Sequence, residues 1–151
     1  MEGEGGAAFR PREMGVGALV RKLAEEHALM SDALERAKEA SKRGDISAVS
    51  RELQAIDPVF RQHIADEEAQ ILGLLVRELG RQGAAEAIRV FQQHQPMYRL
   101  MLKVKELASK PSEELREGGD SLAELFEAHA RAEETRVFPV AAALGGAERS
   151  S

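Results

Sequence analysis

The four histidines are the residues whose types and spacing could support chemistry in this chain. Each lies on the apolar side of a stretch with helical periodicity, and two of them stand four residues before a glutamate, in the patterns HIADEE and HARAEE. Residues four apart share one face of a helix, so His63 points the same way as Glu67, and His129 the same way as Glu133. Imidazole and carboxylate groups gathered in this way are typical ligands of first-row transition metals.

Helix geometry predicts that the four histidines lie at one level. With a rise of about 1.5 Å per residue, His27 and His63 each lie about 26 Å from the turn between the first and second helices. His94 and His129 each lie about 25 Å from the turn between the third and fourth helices, if the fourth is continuous. His27 and His94 are 67 residues apart and His63 and His129 are 66 apart, which indicates a degenerate repeat. One layer would then contain four imidazoles and two carboxylates.

Four amphipathic segments are expected to carry these residues. Apolar residues recur at spacings of three and four, and residues typical of helix ends separate the segments at positions 44–45, 80–83 and 110–112. Pro58 and Pro96 are expected to bend the second and third helices. Gly118 and Gly119 leave two alternatives for the fourth, which is either continuous or a short helix that restarts at Ser121.

This pattern predicts an all-α fold, an antiparallel up-down-up-down four-helix bundle, because long amphipathic helices joined by short turns bury their apolar faces against one another. Residues 1–16 are predicted to form a flexible N-terminal arm. Residues 17–144 are predicted to form the bundle, and residues 145–151 a flexible tail.

Composition excludes several classes of protein. The 151 residues fit one domain, and a net charge of -5 with interspersed acids and bases argues against a nucleic-acid or membrane-surface partner. The sequence contains no cysteine, so a transition metal would have to use histidine and carboxylate ligands. No apolar run approaches the roughly 20 residues that span a bilayer, and the start does not resemble a secretion signal. We therefore expect a cytoplasmic protein.

A buried layer of histidines and glutamates has two explanations. Single core histidines are usually hydrogen-bonded, and a mixture of structural histidines is the alternative to a metal site. Without a cation, however, so many polar groups in an apolar bundle would be costly. Six ligands are too many for a four-coordinate zinc and suit two first-row ions bridged by carboxylates and a solvent-derived oxygen, with iron the leading candidate. The Glu-x-x-His motif of ferritin-like di-iron proteins is absent from the sequence.

Four stretches of the sequence, EEHALM, HIADEE, QHQPMYRLM and HARAEETRVFP, resemble the ligand-bearing segments of hemerythrin-like domains, the HHE cation-binding family. The resemblance covers about residues 17–142. It implies a hemerythrin-like bundle that holds two iron ions per chain with a bridging oxo, hydroxo or water. The implied terminal ligands are His27, His63, His94 and His129, and the implied bridging carboxylates are Glu67 and Glu133. In that pattern Glu68 and Glu134 are not ligands and face outward or support the ligands.

One residue departs from the pattern of the oxygen carriers in that family. Those proteins have a fifth histidine one turn after the third, whereas this chain has Tyr98 four residues after His94. Tyr98 is therefore predicted to be the catalytic residue, either as a phenolate ligand or as a hydrogen-bond donor to peroxide. A core tyrosine that is hydrogen-bonded elsewhere is the alternative.

These observations predict a non-haem di-iron protein that reacts with or senses O2, peroxide or nitric oxide. It could act as a sensor, a scavenger or a peroxidase- or catalase-like enzyme. The alternative is a protein that binds oxygen reversibly, or that stores or senses iron, without catalysis. A structural or zinc-binding bundle is the third hypothesis.

Overall fold

The computed structural model of the protein describes the backbone of residues 9–150 and the side chains of residues 9–145. Within this range the chain is all-helical and contains no strand. Four long helical segments, some of them interrupted, follow one another along the chain. Their parts are α1 (Val16–Lys42), α2 (Ile46–Asp66), a first π turn (Glu67–Ile71), α3 (Leu72–Gly83), α4 (Ala85–Phe91), α5 (His94–Leu107), α6 (Glu113–Ala132), a second π turn (Glu133–Val137) and α7 (Phe138–Ser150).

Local chemistry explains where the segments begin and end. Gly44 ends the first segment with a φ of 76°, a backbone conformation that residues other than glycine rarely adopt. The next residue, Asp45, accepts a hydrogen bond from the Ala48 amide at 3.1 Å and so caps α2. Ser112 caps α6 in the same way, accepting from the Leu115 amide at 3.0 Å. The turns expected at 44–45 and 110–112 are therefore confirmed.

The third segment is broken where the sequence predicted a bend. Helix α4 ends at Phe91 and α5 restarts at His94. Pro96 lies in the first turn of α5, and since it has no amide hydrogen it cannot donate to the Gln92 carbonyl. The break therefore places His94 at a helix start. Pro58 lies inside α2, which continues past it to Asp66.

The fourth segment is continuous through its two glycines, so the restart at Ser121 does not occur. Close packing explains why glycine stands there. A Cβ atom added to Gly118 would lie 3.1 Å from Val104 Cγ2 on α5, and one added to Gly119 would lie 3.8 Å from the Lys38 Cα on α1. Small residues thus let α6 approach both neighbours.

At both ends of the bundle the structure differs in part from the predicted flexible arm and tail. Residues 9–15 of the predicted arm have no regular secondary structure but contact α2, since Gln62 Nε2 donates to the Arg10 carbonyl at 2.7 Å. Residues 1–8 lie outside the described residues. At the other end, α7 continues through the predicted tail to Ser150, and residue 151 lies outside the described range.

Two apolar clusters flank the level of the histidines. The first contains Met30, Phe60, Met97 and Phe126, and the second contains Leu23, Ile71, Phe91 and Phe138. Along each segment the histidine lies between a residue of one cluster and a residue of the other, so the polar layer is closed by apolar side chains at both ends. None of the described helices is long and apolar enough to cross a membrane.

Candidate metal centre

The six predicted ligands lie together in the interior. Their relative exposure is 0% for both glutamates and at most 3% for the histidines. They form two groups that share the glutamates, and within each group one ligand atom per residue lies within 4.8 Å of every other. The layer predicted from helix geometry is thus present, and its six members are His27, His63, Glu67, His94, His129 and Glu133.

The first group, called position A, contains His27, His63 and one oxygen from each glutamate. His27 Nε2 lies 2.8 Å from Glu133 Oε1, and His63 Nε2 lies 3.0 Å from Glu67 Oε2. The two Nε2 atoms are 3.2 Å apart, and His63 Nε2 is 3.9 Å from Glu133 Oε1. Two nitrogen and two oxygen atoms therefore converge on one small volume.

The second group, called position B, contains His94, His129 and the other oxygen of each glutamate. His94 Nε2 lies 2.8 Å from Glu67 Oε1 and 3.4 Å from Glu133 Oε2. His129 Nε2 lies 2.8 Å from Glu133 Oε2. Each carboxylate therefore directs one oxygen to position A and the other to position B, which is the arrangement of a bridging ligand.

Several of these short distances are not hydrogen bonds. Both oxygens of Glu67 and Nε2 of His129 are buried and have no hydrogen-bond partner among the described residues, although each lies within 3.0 Å of a polar atom of the layer. The distances are short, but the directions do not suit a hydrogen bond. Two ligand atoms about 2.1 Å from a common ion and at right angles would be about 3 Å apart. The spacing therefore fits atoms arranged around a cation.

The outer nitrogen of every histidine has a defined partner. Each Nδ1 atom contacts a side-chain oxygen, in the pairs His27 with Glu134 (2.7 Å), His63 with Glu26 (2.9 Å), His94 with Glu68 (2.9 Å) and His129 with Gln93 (2.7 Å). A donating Nδ1–H leaves the Nε2 lone pair directed inward, as a metal ligand requires. All four rings are thus oriented by a second residue.

The two π turns place the glutamates in equivalent positions. Glu67 and Glu133 each begin a π turn four residues after a histidine of an α-helix. The wider turn changes the direction of the side chains that follow it, and π turns occur often at functional sites. The two turns are 66 residues apart, like His63 and His129, so the repeat inferred from the sequence extends to the backbone.

No protein-family model, curated protein or solved structure was found to match this chain. The argument for function therefore depends on the site itself.

The carboxylates change the protonation of the histidines. Burial alone would lower the pKa of His94, but the neighbouring carboxylates of Glu133, Glu67 and Glu68 outweigh it and raise the pKa to about 11. The pKa of His63 is likewise raised well above its usual value, since the carboxylates outweigh burial. The four surrounding imidazoles hold the pKa of Glu133 well below its usual range despite burial. Without a metal, protons on His63 and His94 compensate the carboxylates, and a bound cation would replace those protons.

Aromatic rings cover parts of the layer. Phe138 stacks on His27 at 5.6 Å between ring centroids, Phe126 contacts the same ring edge-on at 5.9 Å, and Phe91 stacks on His94 at 5.1 Å. These rings help to exclude water, which strengthens electrostatic interactions inside the layer.

Tyr98 is not part of the histidine and glutamate layer. Its hydroxyl donates to Asp57 Oδ1 at 3.1 Å, and its ring stacks on Phe60 at 5.9 Å. Burial and the neighbouring carboxylate of Asp57 raise the pKa of Tyr98, which disfavours the phenolate form. The hydrogen bond to Asp57 agrees with the alternative of a tyrosine that is hydrogen-bonded elsewhere, and the catalytic role of Tyr98 stays a prediction.

Tyr98→Phe is accordingly expected to leave metal binding intact. Asp57 would lose one donor but keep Lys105 at 3.0 Å and Arg61 at 3.1 Å, so the free energy of unfolding should fall by about 1 kcal/mol. Metal analysis and thermal unfolding of the variant beside the parent protein test this. Loss of metal, or loss of a visible absorption band of the ferric protein, would restore Tyr98 to the site.

Two partners of the layer, Glu26 and Gln93, were missed in the sequence. Each directly precedes a histidine, Glu26 before His27 and Gln93 before His94, yet each contacts a histidine of the next segment. The repeat was the available signal, because Glu26 and Gln93 are 67 residues apart, like the histidines that follow them.

Proposed function

We propose that this protein holds two iron ions in the layer and reacts with or senses O2, peroxide or nitric oxide. His27 and His63 would bind one ion, His94 and His129 would bind the other, and Glu67 and Glu133 would bridge them. The fold we propose is a hemerythrin-like bundle with up-down-up-down topology, in accord with the packing of α1 against α2 and α6 and of α5 against α6.

The observation that carries the proposal is the direction of the Glu67 oxygens. A buried carboxylate normally accepts several hydrogen bonds, and one that lacks them costs free energy. Glu67 has 0% exposure and accepts none among the described residues, while its two oxygens face the two different groups of imidazoles. A cation at each position would compensate both oxygens at once.

The donor set favours iron. Each position offers two imidazole nitrogens and two carboxylate oxygens, which leaves coordination positions for solvent and for a small molecule. Imidazole ligands suit a redox-active first-row ion, whereas magnesium and calcium prefer sites made of oxygen ligands alone. Iron bound here would supply electrons to O2 or peroxide, or bind nitric oxide.

The chain itself controls the environment of that chemistry. Glu67 and Glu133 would contribute two negative charges to the ligands of both ions, and Glu26, Glu68 and Glu134 would add three more at the outer nitrogens. This anionic surrounding favours the more highly charged, oxidised state of bound iron. The apolar clusters and aromatic rings above and below the layer keep bulk water out.

Reversible binding of oxygen is the second candidate, and the position of Tyr98 favours it. Because the Tyr98 hydroxyl is directed to Asp57, it does not offer a proton to a molecule in the layer. Without a hydroxyl directed into the layer, proton-coupled oxidation of bound iron would be slower. Exposing the ferrous protein to O2 and then removing the gas separates the two functions. The spectrum returns to that of the ferrous protein if binding is reversible and stays ferric if the iron reacts.

Metal analysis of protein produced with adequate iron tests the proposal. We expect close to two iron ions per chain, with iron retained in preference to zinc when both are supplied. Glu67→Ala should lose iron, whereas the neighbouring Glu68→Ala, which removes only an outer partner of His94, should retain most of it. A value near one ion per chain, a preference for zinc, or equal losses in the two variants would contradict the di-iron assignment.

A further inference from the structure

The outer partners of the four histidines follow a two-fold pattern with one exception. The acids that follow the bridging glutamates, Glu68 and Glu134, bind histidines of opposite positions, His94 in B and His27 in A. The residues that precede the first and third histidines form the other pair of partners. One of these is an acid, Glu26, which binds His63 in position A, and the other is a neutral amide, Gln93, which binds His129 in position B.

The acid and the amide also differ in their surroundings. The Glu26 side chain is 10% exposed, whereas Gln93 is exposed to solvent at the break between α4 and α5. A charge in a poorly solvated place acts more strongly than one in water. A carboxylate that accepts the Nδ1–H bond makes the imidazole more electron-rich and a stronger ligand than an amide does.

Arg12 does not cancel this difference. Its side chain lies 2.9 Å from Glu26 Oε2, but its contacts with Asp66 are shorter, at 2.6 and 2.7 Å. Asp66 is fully buried and shares the Arg12 guanidinium with Glu26. Arg12, Asp66 and Glu26 together carry one net negative charge, and with Glu134 the outer groups of position A carry two. The outer partners of position B, Glu68 and Gln93, carry one.

We propose that the two positions bind metal with unequal strength, position A being the tighter one, and that the exchange of an acid for Gln93 causes the difference. This inference rests on the proposed di-iron function. The metal-free chain would load position A first, and at limiting metal it would carry one ion held by His27 and His63. The pattern assigns Glu26 and Gln93 as positioning residues that set the affinity of each half of the centre.

Single-position variants measure the two affinities separately. Two ions that share carboxylates repel each other, so stepwise binding alone would not separate equal positions from unequal ones. His27→Ala leaves position B with both of its imidazoles, and His129→Ala leaves position A with both of its imidazoles. Anaerobic titration of each metal-free variant with ferrous iron, in competition with a chromogenic chelator, gives one dissociation constant for each position. We expect His129→Ala to bind iron at least about 10-fold more tightly than His27→Ala, the size typical of outer-partner effects.

Exchanging the outer partners should move these constants in opposite directions. In the His27→Ala background, Gln93→Glu should tighten binding by about 10-fold, and in the His129→Ala background, Glu26→Gln should weaken it by a similar factor. Far-UV circular dichroism of each metal-free variant confirms that the helices are formed. Glu117→Gln, an exposed change on α6 outside the layer, serves as a control that should move neither constant.

The outcomes separate this inference from the function on which it rests. Equal constants for His27→Ala and His129→Ala, or constants that do not respond to Gln93→Glu, overturn the inequality while leaving the di-iron centre in place. A parent protein that binds fewer than two ions at saturating iron overturns the proposed function itself, and the inequality with it.

Discussion

Glu133→Gln is expected to remove both ions from the protein. Glu133 contacts all four imidazoles, with Oε1 2.8 Å from His27 and 3.9 Å from His63, and Oε2 3.4 Å from His94 and 2.8 Å from His129. Glutamine keeps the shape of the side chain but removes its charge and turns an amide NH2 group toward one position. Because the lost ligand serves both positions, iron content should fall from about two ions per chain to nearly none. Elemental analysis after gel filtration measures the iron content per chain.

Glu134→Gln is the matched control for this prediction. Glu134 follows Glu133 in the chain, but its side chain is 44% exposed and contacts only the outer nitrogen of His27. Its replacement should weaken iron binding at position A by roughly 10- to 100-fold and leave both ions bound at saturating iron. If Glu134→Gln loses as much iron as Glu133→Gln, the bridging role of Glu133 is contradicted.

The level of the histidines could be predicted from the sequence because it depends on quantities that are constant along a helix. The rise per residue placed His27 and His63 at one height, and the i, i+4 rule placed Glu67 beside His63. The turns at Gly44 and Ser112 followed from local backbone and capping chemistry. Each of these predictions needed only neighbouring residues or the assumption that a helix is regular.

Features that depend on the rotation of one helix against another could not be predicted in this way. The contact between His63 and Glu26 joins residues 37 positions apart, and it requires a particular rotation of α1 about its own axis. The same holds for Arg12, whose contacts with Asp66 join residues 54 positions apart. The π turns at Glu67 and Glu133 are also invisible to a search that assumes 3.6 residues per turn.

The contact of Tyr98 could not be predicted from its spacing to His94 alone. Four residues separate it from His94, and on a continuous helix both would face the layer. Both residues lie in α5, but Tyr98 stands one helical turn beyond His94, and its hydroxyl reaches Asp57 on α2. The Tyr98→Phe variant therefore decides what the departure from the five-histidine pattern means for reactivity.

The melting temperatures of metal-free and iron-loaded protein are expected to depend differently on pH. In the metal-free protein the pKa of His94 is raised from 6.5 to about 11, and the pKa of His63 is raised as well. A raised pKa stabilises the folded state fully below the unfolded-state value, and this stabilisation is lost as pH rises toward the folded-state value. The melting temperature of the metal-free protein should therefore fall as pH rises above about 6.5.

Iron binding removes this fall in stability, because only neutral imidazoles bind the metal. Each proton that iron displaces increases the apparent affinity about 10-fold for every rise of one pH unit, so the stabilisation that iron confers should grow with pH. Protons compete more strongly for the imidazoles as pH falls, and iron should be released toward the acid end of the range. Anaerobic thermal unfolding between pH 5.5 and pH 8.5, with chelator in one series and excess ferrous iron in the other, tests this directly. The two plots of melting temperature against pH should lie close together at the acid end and separate steadily toward the basic end. If the two plots run parallel across the range, no imidazole proton is exchanged for iron. The layer is then a structural cluster of histidines and glutamates.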